Sequence, residues 1–215
     1  STPFILSATA YAAYVAKLLS QTARILGFDN DAKKYYERFE SIKEAFNEAW
    51  VKDDGSIAYW GEQSKSGINK TYYSEQSENH PSQTSYALAI DFDLIPEDKL
   101  LRTKEYFERS IRERDNCLSV GFLGISHLAS ALEKIGCTDI AFTLLEQEKH
   151  PSWLYSVKNG ATTIWERWNS YIAETDTFGD IAMNSFNHYS LGSCVEWLYS
   201  HVLGIKLFEN KKLCI

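Results

Sequence analysis

The chain has 215 residues, a formal net charge of −7 and a pI near 5.3, with 44% hydrophobic and 24% charged residues. That composition describes an ordinary globular protein, and without a basic block it points away from nucleic acid. The acidity also disfavours a polyanionic substrate, and with no run of about 18 apolar residues no membrane span is expected. The aromatic share is high at 14%, with 13 Tyr, 11 Phe and 6 Trp. Such richness suits sugar contact, and equally suits packing between long helices. Cys117, Cys137, Cys194 and Cys214 are scattered, so neither a zinc site nor a redox dithiol is indicated and no cofactor or metal is expected. The sequence starts at Ser1 with no signal-peptide pattern and stops at Leu213-Cys214-Ile215, which reads as a piece cut from both sides and leaves the compartment unread.

The spacing predicts a first helix over 6–26, with Tyr11, Val15, Leu18, Leu19, Thr22, Ile25 and Leu26 as a single apolar stripe. Gly27 ends it, Asp29 or Asn30 caps the next, and Ala32, Tyr35, Tyr36, Phe39, Ile42 and Phe46 form the inner face of a second helix reaching Trp50. The pair is an αα-hairpin. Asp53-Asp54-Gly55 is a turn, Ser56 to Trp60 a short extended piece, and Ser64 to His80 a polar insertion that carries the sequon Asn69-Lys70-Thr71. Pro81 and Ser82 open a third helix to Phe92. Pro96 stands at the first position of a fourth helix that reaches Glu113. A fifth spans 125–135 and a sixth 139–149, joined at Gly136. Gly27…Ala32 and Gly136…Ala141 repeat the same turn pattern. A last helix starts near Ser185 with Asn184 as cap, lines its apolar face with Leu191, Cys194, Val195, Leu198 and Val202, and ends at Gly204. About seven helices in successive hairpins imply an α-solenoid or the later part of an α/α toroid, because a full six-hairpin toroid needs about twelve.

One stretch breaks the helical period. Residues 159–189 are dense in Trp, Tyr, Asn and Thr, with Glu166 between Trp165 and Trp168. Aromatic faces and polar groups in one loop suit a polyhydroxylated ring. Glu166 is the best candidate acid or base, with tryptophans that exclude water and tune its pKa. Glu174, Asp176 and Asp180 rank below it in a more solvent-like segment. Local chemistry leaves a structural ion pair as the alternative for Glu166. His188, placed in the first turn of the last helix, either donates to a sugar hydroxyl or satisfies a buried backbone group. Cys194 reads as core. Glycoside hydrolysis by inversion needs a second carboxyl group about 6.5–9.5 Å away.

Gly160-Ala161-Thr162-Thr163-Ile164-Trp165-Glu166-Arg167-Trp168, followed by Met183-Asn184-Ser185-Phe186-Asn187-His188-Tyr189 and Gly192, resembles the bacterial α-L-rhamnosidases of glycoside hydrolase family seventy-eight. Gln83 to Ala89, Leu94-Ile95-Pro96, Gly121 to Gly124 and Pro151 to Tyr155 extend the resemblance from the first helix to Gly204. It implies an all-α chain whose αα-hairpins form the later part of an (α/α)6 toroid, with residues 1–215 as one domain. It also implies inverting hydrolysis of a terminal α-L-rhamnosyl residue. By the same resemblance Glu166 is the general base, His188 contacts the rhamnose, and Trp165 and Trp168 wall its pocket. The implied partner is a rhamnose-containing glycoside or oligosaccharide. The family's upstream acid motif, of the type Asp-Cys-Pro-Gln-Arg, is not in this sequence. The chain is therefore expected to hold half of the acid–base pair, to be inactive alone, and to self-associate through exposed barrel faces. A non-catalytic helical module that binds carbohydrate or protein is the alternative, and another (α/α)6 hydrolase, trehalase-like or glucoamylase-like, is a third reading.

Overall fold

A computed structural model describes residues 2–58, 82–207 and 213–214. The whole polar insertion Ser64 to His80, with its sequon, and Tyr59, Trp60 and Pro81 lie outside the described residues. The chain divides into two units, Ser1–Ser110 and Ile111–Ile215.

The first unit begins with a helical hairpin, α1 (Phe4–Ile25) and α2 (Asp29–Trp50). Gly27 turns it at φ +79°, and Gly136 repeats that turn at φ +71° in the second unit, as the shared pattern predicts. Neither Asp29 nor Asn30 caps α2. Phe28 holds the cap position without a side-chain bond, and Asp29 and Asp31 sit in the first turn near the positive end of the dipole.

The apolar stripe expected to face inward on α1 does not. Leu6, Ser7, Ala10, Ala13, Ala16, Ser20 and Ala23 are its buried residues. Leu18 and Leu19 are 40% and 43% exposed, and Ile25 and Leu26 both 62%. The buried positions recur every three or four residues, so they form an equally valid helical face made of small side chains. Small side chains let the two backbones approach closely. Ser20 Oγ donates to the Ala32 carbonyl of α2 at 2.7 Å, and Ala32, Phe39 and Phe46 are the buried residues of α2. Tyr36, assigned to the inner face of α2, is 49% exposed instead.

Helix α3 (Gln83–Asp91) is buried from Gln83 to Ile90, and Ser82 caps it by accepting from the Ser85 N–H at 3.2 Å. Phe92 stacks on Tyr14 of α1 at 4.2 Å, and Tyr86 stacks on Phe107 of α4 at 5.7 Å. α4 (Glu97–Arg112) starts one residue after Pro96, with Glu97 and Asp98 in its first turn. Of the expected extended piece, Ile57 pairs antiparallel with Val51.

The second unit carries a hairpin of α5 (Phe122–Lys134) and α6 (Thr138–Leu145), then a short α7 (Trp153–Lys158). α6 stops before the expected residue 149 because Gln147 redirects the chain. Its amide donates to the carbonyl of Asp115 at 2.8 Å, and its Oε1 accepts from the N–H groups of Glu148 and Lys149. Beyond α7 the chain forms a small antiparallel hairpin, β1 (Tyr171–Ile172) with β2 (Thr177–Phe178). The last helix is shorter than expected and irregular. It opens as a 3₁₀ turn at Ser190–Ser193, becomes α8 over Cys194–Trp197, and closes as a π turn over Leu198–Val202. Val195 and Val202 of the expected apolar face are 48% and 45% exposed, while Leu191 and Trp197 are buried. Strands β3 (Lys206–Leu207) and β4 (Leu213–Cys214) pair antiparallel at the end of the described chain.

The small-residue seam makes a direct prediction. Ala13→Leu should destabilise the hairpin by about 1–3 kcal/mol through overpacking. Leu19→Ser on the exposed face should stay within about 0.5 kcal/mol. Urea denaturation of the two variants beside the parent checks the difference.

Candidate functional site

The site is built where two non-helical segments of the second unit run side by side. The Glu166 N–H donates to the Ser185 carbonyl at 2.8 Å, and the His188 N–H donates to the Ile164 carbonyl at 2.8 Å. Thr163 Oγ1 donates to the Phe186 carbonyl between them. These bonds explain why no helix starts at Ser185. The carbonyls of Ser185 and Phe186, which a helix starting there would use as its first acceptors, are taken by the Glu166 N–H and by Thr163 Oγ1, so helical pairing does not begin until Ser190. Asn184 is accordingly not a helix cap, and His188 is not in a helical turn.

Glu166 is fixed at both ends of the residue. Its backbone bonds Ser185, and the Ser185 N–H returns to its Oε2 at 2.8 Å. Oε1 has no hydrogen-bond partner among the described residues, so one carboxylate oxygen is anchored and the other is available. The alternative reading of Glu166, an ion pair, has no counterpart among the salt bridges of the described residues. The lower-ranked acids are engaged locally. Glu174 accepts from the Tyr155 hydroxyl at 3.1 Å, Asp176 from the Tyr171 hydroxyl at 3.0 Å, and Asp180 from the Ala182 N–H at 3.0 Å.

His188 lies parallel between two rings, Phe122 at 4.8 Å and Tyr189 at 5.5 Å. The Ser190 N–H donates to its Nδ1 at 3.3 Å. An Nδ1 that accepts a bond leaves the proton of the neutral ring on Nε2, so the side chain presents a donor.

Trp165 and Trp168 both line a cavity of about 260 Å³, together with Trp153, Val157, Ile164 and Leu191. The indole N–H of Trp168 donates to the Val120 carbonyl at 2.8 Å, and that of Trp153 to the Leu191 carbonyl at 2.6 Å. The two rings meet edge to face at 5.5 Å. Their polar atoms are thus spent on backbone and their faces remain for apolar contact. Trp165 is 6% exposed and packs against Phe186 and Tyr171 at 5.3 and 6.4 Å. Glu166 and His188 are not lining residues of this cavity, so the four expected residues fall into two groups. The paired segments 164–166 and 185–188 form a strap that carries the carboxylate and the imidazole, and the tryptophans line the cavity.

The chain from residue 1 to 202 matches the family model described as the bacterial alpha-L-rhamnosidase 6 hairpin glycosidase domain. The chain belongs to this family. An α-L-rhamnosidase of Formosa agariphila is 38% identical over 197 residues, covering 92% of this chain and 19% of the relative. One from Alteromonas sp. (strain LOR) is 37% identical over 205 residues, covering 95% and 20%. The crystal structure of Streptomyces avermitilis α-L-rhamnosidase complexed with L-rhamnose superposes with a TM-score of 0.81 at 35% identity, over 95% of this chain and 18% of that one. The chain thus spans about a fifth of the length of the curated relatives it matches.

Within this six-hairpin glycosidase chain, sequence reasoning passed over Ser170 and gave Asn184 a different task. Ser170 is fully buried. Its carbonyl accepts from the Gly179 N–H and from Asn184 Nδ2, both at 2.9 Å. The run of polar residues around them offered no period to read. Cys194, expected to be core, is half-buried, and desolvation pushes its thiol up from its ordinary value.

Gly179 is a test of this architecture. A Cβ there would stand 2.6 Å from the Asn169 carbonyl oxygen. Gly179→Ala should therefore displace the Ser170 turn and destabilise the second unit by about 1–3 kcal/mol, read as a lower unfolding midpoint in urea.

Proposed function

We propose that these residues are the later part of the catalytic barrel of an inverting α-L-rhamnosidase, with Glu166 as the general base. The observation that supports it most is the doubly hydrogen-bonded Glu166 within a Trp-Glu-Arg-Trp block, in a chain of a rhamnosidase family. The substrate is a terminal α-L-rhamnosyl residue on a glycoside or oligosaccharide. The free Oε1 of Glu166 takes a proton from water as its oxygen attacks the anomeric carbon. The glycosidic C–O bond breaks on the opposite face, and the leaving oxygen receives a proton from the acid. His188 donates from Nε2 to a sugar hydroxyl. Trp165 and Trp168 supply the apolar wall against the ring's C–H surface.

The general acid comes from outside these 215 residues, in keeping with the missing upstream motif, and the two units belong to a single six-hairpin domain. The isolated chain is then inactive. The exposed apolar residues of α1, Val15, Leu18, Leu19, Ile25 and Leu26, drive its self-association.

In the full-length protein, Glu166→Gln should lower turnover of an aryl α-L-rhamnoside by about 10²–10⁴-fold. Turnover within a few-fold of the parent would remove Glu166 from the role of base, and hydrolysis by the isolated chain would contradict the missing acid. Sedimentation of the isolated chain should show oligomers that Leu18→Glu with Leu19→Glu reduces to monomer. A clean monomer without those substitutions would contradict the association.

A further inference from the structure

The strap that holds Glu166 has a second anchor. We propose that Asn184, seated on the buried Ser170, is a positioning residue for the Glu166 carboxylate, an inference that rests on Glu166 being the general base. Asn184 Nδ2 donates to the Ser170 carbonyl at 2.9 Å. Ser170 in turn is bonded to the turn that follows Glu166. Its N–H donates to the Arg167 carbonyl and its Oγ accepts from the Arg167 N–H, both at 3.2 Å. Asn184 is covalently joined to Ser185, whose N–H meets Glu166 Oε2 at 2.8 Å. The path from Glu166 through Arg167, Ser170, Asn184 and Ser185 back to Glu166 is therefore a closed loop of peptide and hydrogen bonds.

Such a loop is what the anchoring N–H needs. Ser185 and its neighbour Phe186 are exposed, and the 3₁₀ turn before them, Ile181–Met183, is only three residues long. Among the described contacts, the Asn184 amide is the side-chain bond that ties this segment to a fully buried residue. It sets the distance between the Ser185 N–H and the carboxylate.

The choice of asparagine is costly in another respect. Its Oδ1 is buried without a hydrogen-bond partner among the described residues. A buried amide that uses its donor and wastes its acceptor gives little net stability. Removing it takes away one bond and one orphaned acceptor together. Its value lies in placement, and misplacing a catalytic group by about 1 Å costs up to about 10²-fold in rate.

The test is a double-mutant cycle in the full-length protein, with kcat and KM measured on an aryl α-L-rhamnoside for the parent, Asn184→Ala, Glu166→Gln and the double variant. Asn184→Ala should lower kcat about 10–100-fold, leave KM within about threefold, and move the unfolding temperature by no more than about 3 °C. In the Glu166→Gln background the same substitution should change kcat by less than about twofold, because a residue that acts through the base has nothing left to position. An equal loss in both backgrounds would mark a merely structural role and overturn the inference. So would an Asn184→Ala variant that keeps the parent kcat beside a crippled Glu166→Gln. Should Glu166→Gln itself keep the parent kcat, the base reading falls, and this inference with it. Asn184→Asp guards against a folding failure. It keeps the shape, replaces the donor with an oxygen facing the Ser170 carbonyl, and should reproduce both the kcat loss and its disappearance beside Glu166→Gln.

Discussion

The site depends on one constraint, the antiparallel pairing of residues 164–166 with residues 185–188. Neither segment has regular secondary structure of its own, and each satisfies its backbone on the other. The pairing delays the last helix to Ser190, brings His188 against Phe122 at the start of α5, and gives the Glu166 carboxylate a backbone N–H to rest on. A loop built this way satisfies its backbone while still presenting side chains outward, which is what the proposed role of Glu166 requires. The hairpins of the second unit serve as its frame. The Trp168 indole hangs from the Val120 carbonyl just ahead of α5, and the Trp153 indole of α7 from the Leu191 carbonyl.

The aromatic richness of the chain divides between two tasks. In the first unit, phenylalanines and tyrosines fill space between helices, as with Phe92 stacked on Tyr14 and Tyr86 on Phe107. In the second, indoles that have already used their N–H groups wall a cavity next to a carboxylate and a donor imidazole. The second arrangement supplies apolar faces and a few polar groups, which is what the proposed sugar site calls for. The membership of the chain in a glycosidase family agrees with that chemistry.

The hairpin order and most helix boundaries were legible in the sequence because helical periodicity and Gly turns are local signals. The inward face of α1 was not. Two helical stripes coexist there, and the larger side chains of Val15, Leu18 and Leu19 outweigh in hydropathy the alanines that are buried instead. The start of the last helix was not legible either, because the carbonyls that a helix at Ser185 would use accept from residues about twenty positions earlier. The roles proposed for Glu166 and His188 rest on the resemblance, and the local reading of both stayed open without it. The bond between Ser170 and Asn184 joins residues fourteen positions apart, and no spacing rule reports such a contact.

The central claim is that Glu166 delivers the attacking water to the face of the sugar opposite the leaving group. Azide rescue of Glu166→Ala in the full-length protein tests it most directly. With the base removed, azide can occupy the water's position and needs no deprotonation. Added azide is predicted to restore turnover of an aryl α-L-rhamnoside and to yield the β-L-rhamnosyl azide, as seen by proton NMR of the anomeric signal. Unchanged turnover with azide, or an azide product of retained α configuration, would contradict the account.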